Sequence, residues 1–281
     1  MEALSGKSNL YSATADEKVK EQLFSLENRL AEMAQSMRYA GRLQQAILPN
    51  EVLFQEAFND AFVMYQPKDL VSGDFYWIYT FQNQLYIAVG DCTGHGVPGA
   101  LINIAGNSIL RQIIKQDGIS NPAEIMIHLD AELSNLFNEN LTEGTTPDGM
   151  DIVLCKFDYE TMIGEFCGAG RPLIQIRQGA LIEFRKGKSS IGYDPLHKKH
   201  FESIHFDIEK GDLFYLFSDG YTDQFGGDNI KKFNRKRFRQ LLLSVSEMKM
   251  TRQKEELELT FSNWRGDQEQ IDDVTLMGIR I

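Results

Sequence analysis

The sequence has few of the features that mark secreted, membrane-spanning or nucleic-acid-binding proteins. Its three cysteines form no CxxC pair, so no disulfide framework is predicted. No apolar run approaches the ~20 residues needed to cross a bilayer, and no charged-then-apolar leader follows Met1. The net charge of −11 opposes binding to nucleic acid, and the main basic cluster, residues 231–239, is short. We therefore expect a cytoplasmic protein with reduced thiols, no membrane segment in this chain and no nucleic-acid partner.

One segment near the start of the chain has no proline before Pro49, and its apolar residues step alternately by fours and threes. These residues are Val19, Leu23, Leu26, Leu30, Met33, Met37, Ala40 and Ile47, with Gln44 as the one polar seam position. Such a seam predicts a coiled coil and a homodimer through residues 19–47, and the alternative is one amphipathic helix lying on its own domain. Because proline stops a helix, we expect a dimerising linker over residues 1–49 and a single domain over 50–281.

After Pro49 the hydrophobic pattern changes from the period of a helix to that of strands. Short polar turns separate most of the apolar segments, which indicates largely antiparallel pairing. The predicted strands are 62–65, 75–80, 85–89, 152–157, 164–168, 173–177, 181–184, 213–217 and 274–281. Helical patterns cover residues 99–116, 122–140 and about 235–264. Helices inserted as an adjacent pair between antiparallel strands favour an α+β layered sandwich over a doubly wound fold.

Two aspartates face each other in the hairpin predicted within residues 71–100. If Gln82 and Asn83 form its loop, counting outward pairs Asp74 with Asp91 at the open end. Like charges placed opposite each other destabilise a sheet. A divalent cation bound between them is the simplest reason for such a placement.

Further aspartates lie at the ends of other predicted strands. Asp219 follows the strand over residues 213–217, and Asp272 and Asp273 precede the last strand. Because antiparallel neighbours end and begin at the same edge of a sheet, Asp219 and Asp272 are expected to converge there. Carboxylate oxygens suit magnesium or manganese, whereas zinc would call for regularly spaced histidine or cysteine. The alternative is that each aspartate simply forms a turn.

Five motifs occur in the order found in a known enzyme family. They are VSGDFYW, VGDCTGHGVPGAL, GAGRPL, FSDGYTDQ and DDVTLMGIRI. With these motifs the chain resembles the metal-dependent PPM (type 2C) protein phosphatases, specifically their SpoIIE-like branch, over roughly residues 58–281. LQQAILP at residues 43–49 is similar to the helical linker that leads into the catalytic domain of that branch. The resemblance implies a four-layer αββα sandwich with two Mn²⁺ or Mg²⁺ ions at one edge of the paired sheets.

The resemblance also implies roles for single residues around the two ions. Asp91 is expected to bridge both metals, and the backbone carbonyl of Cys92 to complete the coordination of one of them. Asp219 and Asp272 are expected to hold the other metal. Asp74 matches the acidic position that contacts its metal through water.

For several other acidic residues and for His95, the sequence leaves two roles open. Asp273 is expected to support the metal ligands, although either it or Asp272 could be the direct ligand. Asp148 and Asp151 fall near a third metal of some relatives, or form a polar loop that leads into a strand. His95 is a candidate general acid, or an exposed loop residue between two glycines. The arginine that binds phosphate in the eukaryotic relatives has no evident match.

The reaction implied by the resemblance is hydrolysis of phosphoserine or phosphothreonine by water that two divalent ions activate. The implied partner is a phosphorylated signalling protein, such as an anti-sigma-factor antagonist. The CxxxxxR loop and the GxSxG elbow of covalent mechanisms are missing from the sequence. The alternative is a catalytically weak regulatory module that transmits a signal through its coiled coil. We also hypothesise that dimerisation positions the helices of residues 99–140 and so tunes the metal affinity.

Overall fold

The computed structural model shows most of the chain in detail. The described residues are 5–50, 53–54, 57–94, 96–138, 148–185, 187, 189–192 and 198–281, with side chains from residue 18 onward. Two compact units make up the chain, Met1–Leu43 and Gln44–Ile281. Over the described residues, helices long and apolar enough to cross a membrane are absent.

The first unit is helical throughout its described part. Helix α1 covers Ser5–Ile47, and its last four residues belong to the second unit. The first five seam residues with apolar side chains are more than half exposed: Val19, Leu23, Leu26, Leu30 and Met33. The bounds of α1 confirm the helix predicted for this segment. The homodimer stays a prediction.

The second unit consists of strands and of helices that mostly occur in adjacent pairs. Its strands are β1 (Asp60–Gln66), β2 (Asp74–Phe81), β3 (Gln84–Cys92), β4 (Gly149–Asp158), β5 (Ile163–Ala169), β6 (Leu173–Arg177), β7 (Ala180–Phe184), β8 (Ile191–Gly192), β9 (Ile204–Asp207), β10 (Leu213–Phe217), β11 (Phe225–Gly226), β12 (Lys231–Lys232) and β13 (Val274–Arg280). Its helices are α2 (Gly96–Lys115), α3 (Pro122–Asn138), α4 (Gly220–Asp223), α5 (Arg235–Val245) and α6 (Met250–Arg265). The helical region predicted over residues 235–264 thus contains two helices. The first of them ends at Val245 and is capped by Ser246, whose amide and hydroxyl both donate to the carbonyl oxygen of Leu243.

Two antiparallel sheets form the centre of this unit. One sheet has the strand order β1-β13-β10-β6-β7. The other has the order β2-β3-β4-β5-β9, and β8 pairs with β4. The strand pairs within both sheets are antiparallel, as the short polar turns predict. The short strands β8, β9, β11 and β12 were not predicted from the sequence.

Three apolar clusters separate four layers of secondary structure. In β10, Phe214 and Leu216 belong to the cluster between the two sheets, whereas Leu213, Tyr215 and Phe217 pack toward α5 and α6. The third cluster lies between the other sheet and the helices α2 and α3. Strands buried on both faces have near-continuous apolar sequences, as the LFYLF run of β10 shows. The α+β layered sandwich that the pattern predicts and the four-layer αββα arrangement that the resemblance implies are both confirmed.

The hairpin of β2 and β3 has the predicted register. Its loop is formed by Gln82 and Asn83, whose φ angles of 50° and 62° are those of a two-residue hairpin turn. Counting outward from this loop brings Asp74 opposite Asp91. The next strand continues the row, because Asp91 is in turn paired with Asp151 of β4. Three aspartates from three neighbouring strands therefore lie side by side at one edge of the sheet.

Candidate functional site

Carboxylates from both sheets meet at one edge of the sandwich. Strands β10 and β13 are antiparallel neighbours with Phe217 opposite Leu276. Asp219, just after β10, and Asp272, just before β13, therefore lie at the same edge of their sheet. A solvent-open cavity there is lined by residues of both sheets, among them Asp91, Asp151, Asp219 and Asp272. The structure thus brings together aspartates that are far apart in the sequence.

One arginine lies between these carboxylates. Nη2 of Arg171 donates to Oδ2 of Asp91 at 2.5 Å and to Oδ2 of Asp219 at 2.8 Å. Its Nε lies 3.5 Å from Oδ2 of Asp151. Gly170 turns the chain after β5 with a φ of 75°, in the left-handed region that glycine adopts without strain. Arg171 stands in the GAGRPL motif, but the sequence alone assigned it no role.

The cluster carries more negative charge than the arginine balances. Burial, together with Asp219 and Asp272, raises the pKa of Asp91 to about 8 even though Arg171 acts to lower it. Burial and the neighbouring Asp91 likewise hold the pKa of Asp74 well above its usual range. Each of these shifts disfavours the ionised carboxylate. The arrangement is therefore one that an additional cation would stabilise.

A buried oxygen of Asp74 supports the same conclusion. The residue is 1% exposed, and its Oδ2 finds no hydrogen-bond partner in the described part of the chain. An unpaired buried carboxylate oxygen is costly unless it binds a cation or a donor. Within the described ranges, no three acidic, histidine or cysteine side chains meet closely enough to hold an ion as they stand. The available donors are carboxylate oxygens, which fit magnesium or manganese once Asp91 and Asp219 turn from Arg171 to the ion.

The side chains of Asp272 and Asp273 face opposite sides of the chain. Oδ1 of Asp273 accepts a hydrogen bond from the amide of Lys68 at 2.7 Å, and its Oδ2 accepts one from the amide of Gly73 at 2.8 Å. Asp273 is 3% exposed, whereas Asp272 lines the cavity. Successive side chains of an extended segment point to opposite sides, so only one of the pair can face the cavity. The geometry favours Asp272 as the cavity residue and Asp273 as an anchor for the loop before β2.

Three side chains hold the segment that carries Asp74. Gln44 pairs with both peptide groups of Ser72, since its Nε2 donates to the carbonyl at 2.6 Å and its Oε1 accepts from the amide at 2.9 Å. Asn103 of α2 donates a hydrogen bond to the carbonyl of Asp74 at 2.7 Å. Asp273 accepts a hydrogen bond from the amide of Gly73, which lies between Ser72 and Asp74. The prediction that Gln44 is a polar position of the coiled-coil seam is wrong. Its side chain is 3% exposed and is committed to Ser72 within the second unit.

Of the remaining candidate residues, some line the cavity and others do not. Cys92 lines it, with a buried thiol, and the three cysteines are free as their spacing predicts. Asp151 forms part of the row at the cavity, whereas Asp148 is an exposed residue before β4. His95, the candidate general acid, lies outside the described residues.

Comparison with known sequences connects this chain to phosphatases. Residues 82–281 match the family described as Stage II sporulation protein E (SpoIIE). Phosphoserine phosphatase RsbU of Bacillus subtilis (strain 168) is 28% identical over 68% of this chain. The match covers 55% of RsbU, so this chain spans little more than half the length of that relative.

Solved structures show the same fold. The SiaA-PP2C domain of Pseudomonas aeruginosa superposes with a TM-score of 0.80 at 28% identity, covering 89% of this chain and 98% of that domain. The PP2C phosphatase domain of SpoIIE from Bacillus subtilis, solved with a fragment of its regulatory domain, gives a TM-score of 0.65 at 18% identity and covers 79% of this chain and 62% of that one. At the lower identity the likeness concerns the fold alone. The αββα sandwich is thus the fold of PP2C domains.

Proposed function

The chain belongs to the stage II sporulation protein E (SpoIIE) family, and from this premise we propose that it is a metal-dependent protein serine/threonine phosphatase. The observation that carries the proposal is the meeting of Asp91 and Asp219, from different sheets, on one nitrogen of Arg171. Such a convergence of carboxylates at one open cavity suits divalent cations and a phosphorylated substrate. The similarity to a phosphoserine phosphatase and to PP2C domains supports the same activity.

The metal-holding residues that we propose are those that face the cavity. Asp91 would bridge two Mn²⁺ or Mg²⁺ ions, and Asp219, Asp272 and the carbonyl of Cys92 would complete their coordination. Asp74, with its unpaired oxygen, would bind through water. We do not assign Asp273 a direct bond to a metal ion, because both of its carboxylate oxygens already accept hydrogen bonds from backbone amides.

The proposed reaction is in-line attack of a water oxygen on the phosphorus of phosphoserine or phosphothreonine, which breaks the bond from phosphorus to the side-chain oxygen. The side chain leaves as a hydroxyl that carries a proton from the attacking water, and inorganic phosphate is released. When bound, the divalent ions supply positive charge that neutralises phosphoryl oxygens and acidifies water. The protein contributes fixed carboxylates, and the bonds from Gln44, Asn103 and Asp273 hold the Asp74 segment in register with Asp91. The buried Cys92 thiol is not placed to act as a nucleophile.

For the substrate we propose a phosphorylated signalling protein in the cytoplasm, such as an anti-sigma-factor antagonist. The support is the likeness to RsbU, of which this chain spans 55%. The second candidate function is a regulatory module with weak or no catalysis. It is favoured by the exposed apolar seam of α1, which offers a surface for a partner helix.

A turnover assay separates the two functions. Purified protein is incubated with a phosphoserine peptide or an aryl phosphate, with Mn²⁺, with Mg²⁺ or with EDTA. We expect turnover with a divalent ion and loss of turnover in EDTA, because the acidic cavity needs cations to admit a phosphate. Absence of turnover with every divalent ion tested would support the regulatory module instead.

We also propose that dimerisation through residues 19–47 regulates the site. The exposed seam residues supply the apolar surface for a partner helix. The same helix ends beside Gln44, whose two bonds to Ser72 hold the segment of Asp74. Asn103 joins helix α2, the first helix of the predicted pair, to that segment. A change in the linker would therefore reach a proposed metal-holding residue through a short path.

Two sets of variants test this coupling. Leu26→Glu combined with Leu30→Glu is expected to give a monomer in sedimentation velocity, with altered turnover and metal dependence. Gln44→Ala is expected to remain dimeric but to lose turnover by about ten- to a hundredfold, the cost of a slightly misplaced catalytic group. Gln45→Ala, the exposed neighbour on the same helix, is the matched control. A monomer with unchanged activity and metal dependence would refute the coupling.

A further inference from the structure

We propose that Arg171 is a resident cation that a divalent metal must displace, so that its guanidinium sets the metal affinity of the site. This inference rests on the proposed function, since it concerns the same carboxylates. It assigns a role to a residue that the sequence motifs leave without one. Its basis is the geometry of three ion pairs.

Arg171 occupies the point on which the carboxylates converge. A single nitrogen, Nη2, binds the Oδ2 atoms of Asp91 and Asp219, and Nε faces Asp151 at 3.5 Å. The arginine side chain is only 7% exposed. One buried positive group is therefore shared by acidic side chains from β3, from β4 and from the loop after β10, as a bound ion would be.

The contacts of Arg171 differ from those of a structural arginine in the same fold. Arg177 binds Asp212 with two parallel bonds, from Nε at 2.8 Å and from Nη2 at 2.6 Å, and its Nη1 binds Glu209. Such a fork uses the planar guanidinium fully. Arg171 instead shares one nitrogen between two carboxylates, and its buried Nε makes no hydrogen bond with any described group. The carboxylates balance the charge of Arg171, but its Nε donor has no hydrogen-bond acceptor among the described residues.

The backbone holds Arg171 at this place without filling the site. A side-chain carbon added to Gly170 would lie 2.4 Å from Cγ and Oδ1 of Asp151, so a larger residue here would displace the Asp151 carboxylate from its present position. Pro172 follows and restricts the backbone on the other side. The guanidinium lies at the end of a long side chain that can swing out of the cluster, whereas the shorter aspartate side chains remain attached at β3, at β4 and just after β10.

Metal and guanidinium compete for the same oxygen atoms. An ion held by Asp91 and Asp219 would take the two Oδ2 atoms that Arg171 now binds, and the like charges would repel each other. In the metal-free protein the arginine prevents the carboxylates from repelling one another. Removing its charge should therefore strengthen metal binding and weaken the metal-free fold, two effects of opposite sign.

The test is a calorimetric titration of Mn²⁺ into the full chain, with thermal unfolding measured in EDTA. Arg171→Gln is expected to bind Mn²⁺ at least about tenfold more tightly, because the loss of even one of the two competing charge-assisted bonds provides that factor, and to unfold at a lower temperature in EDTA. Arg171→Lys keeps the charge but replaces the guanidinium by an ammonium group, and its Mn²⁺ affinity should fall between those of the wild type and Arg171→Gln. Arg177→Gln, the matched control, should lose stability with unchanged Mn²⁺ affinity.

Mn²⁺ binding to Arg171→Gln that is equal to or weaker than wild type would overturn the inference, because the arginine would then order the ligands instead of competing for them. If that variant does not fold, Arg171→Lys decides the matter, since it too must bind more tightly than wild type. A wild-type chain that binds no Mn²⁺ would be a failure of the proposed function itself. A wild-type chain that binds Mn²⁺ and turns over substrate, with unaltered affinity in the variants, would leave that function standing.

Discussion

Asp91→Asn is expected to lower turnover of a phosphorylated peptide by at least about a thousandfold, or about 4 kcal/mol of transition-state stabilisation. Asp91 is the central member of the row formed with Asp74 and Asp151, and it shares a nitrogen of Arg171 with Asp219. Asparagine has the same shape but no charge, so the loss isolates the electrostatic contribution. Initial rates at saturating Mn²⁺ measure the effect.

The fold should tolerate this substitution. The neutral side chain can still accept the hydrogen bond from Arg171, and it removes repulsion from the neighbouring acids, so thermal unfolding in EDTA should change little. Asp158→Asn is the matched control for turnover, because Asp158 lies on the same sheet at the opposite end of β4, away from the cavity. An Asp91→Asn protein that retained most of the wild-type rate would contradict the role of this carboxylate.

Substitution of the two neighbouring aspartates should separate activity from stability. Asp272→Asn is expected to lose at least about a hundredfold in turnover and to unfold like wild type, because its side chain faces the cavity. Asp273→Asn is expected to lose about 2–3 kcal/mol of stability, since its carboxylate accepts the amides of Lys68 and Gly73, and an amide nitrogen would face one of these donors. Each variant is the control for the other.

Denaturant unfolding in EDTA and steady-state rates with Mn²⁺ distinguish the two variants. The reverse pattern would identify Asp273 as the direct ligand. That pattern is a stable, inactive Asp273→Asn protein beside a destabilised, active Asp272→Asn protein. In that case the two hydrogen bonds that Asp273 accepts from the amides of Lys68 and Gly73 would have to break when metal binds.

The sequence predicted those parts of the fold that depend on local rules. The pairing of Asp74 with Asp91 followed from a two-residue loop, because the loop length determines the register of a hairpin. The position of Asp219 near Asp272 followed from antiparallel strand ends. Continuously apolar strands such as β10 were recognised because both of their faces are buried.

The parts that depend on long-range contacts were not predictable in the same way. Heptad spacing placed Gln44 on a helix seam, but spacing cannot show whether a residue faces a partner helix or its own domain. The pairing with Ser72, 28 residues away, decided it. Arg171 reached the site through the turn at Gly170 and through the order of the strands, neither of which the motif reveals.

The choice between Asp272 and Asp273 shows the same limit at the scale of one residue. Both are acidic and both precede β13, so composition does not separate them. Their side chains point to opposite sides of the chain, and only the location of the amides of Lys68 and Gly73 identifies the buried side.

The most direct measurement of the central claim is an anomalous-difference map from crystals grown with Mn²⁺. The account predicts two peaks in the cavity, in contact with Asp91 and with Asp219 or Asp272, and the guanidinium of Arg171 withdrawn from the carboxylates that hold the ions. An active protein whose map showed no peak beside Asp91 would contradict it.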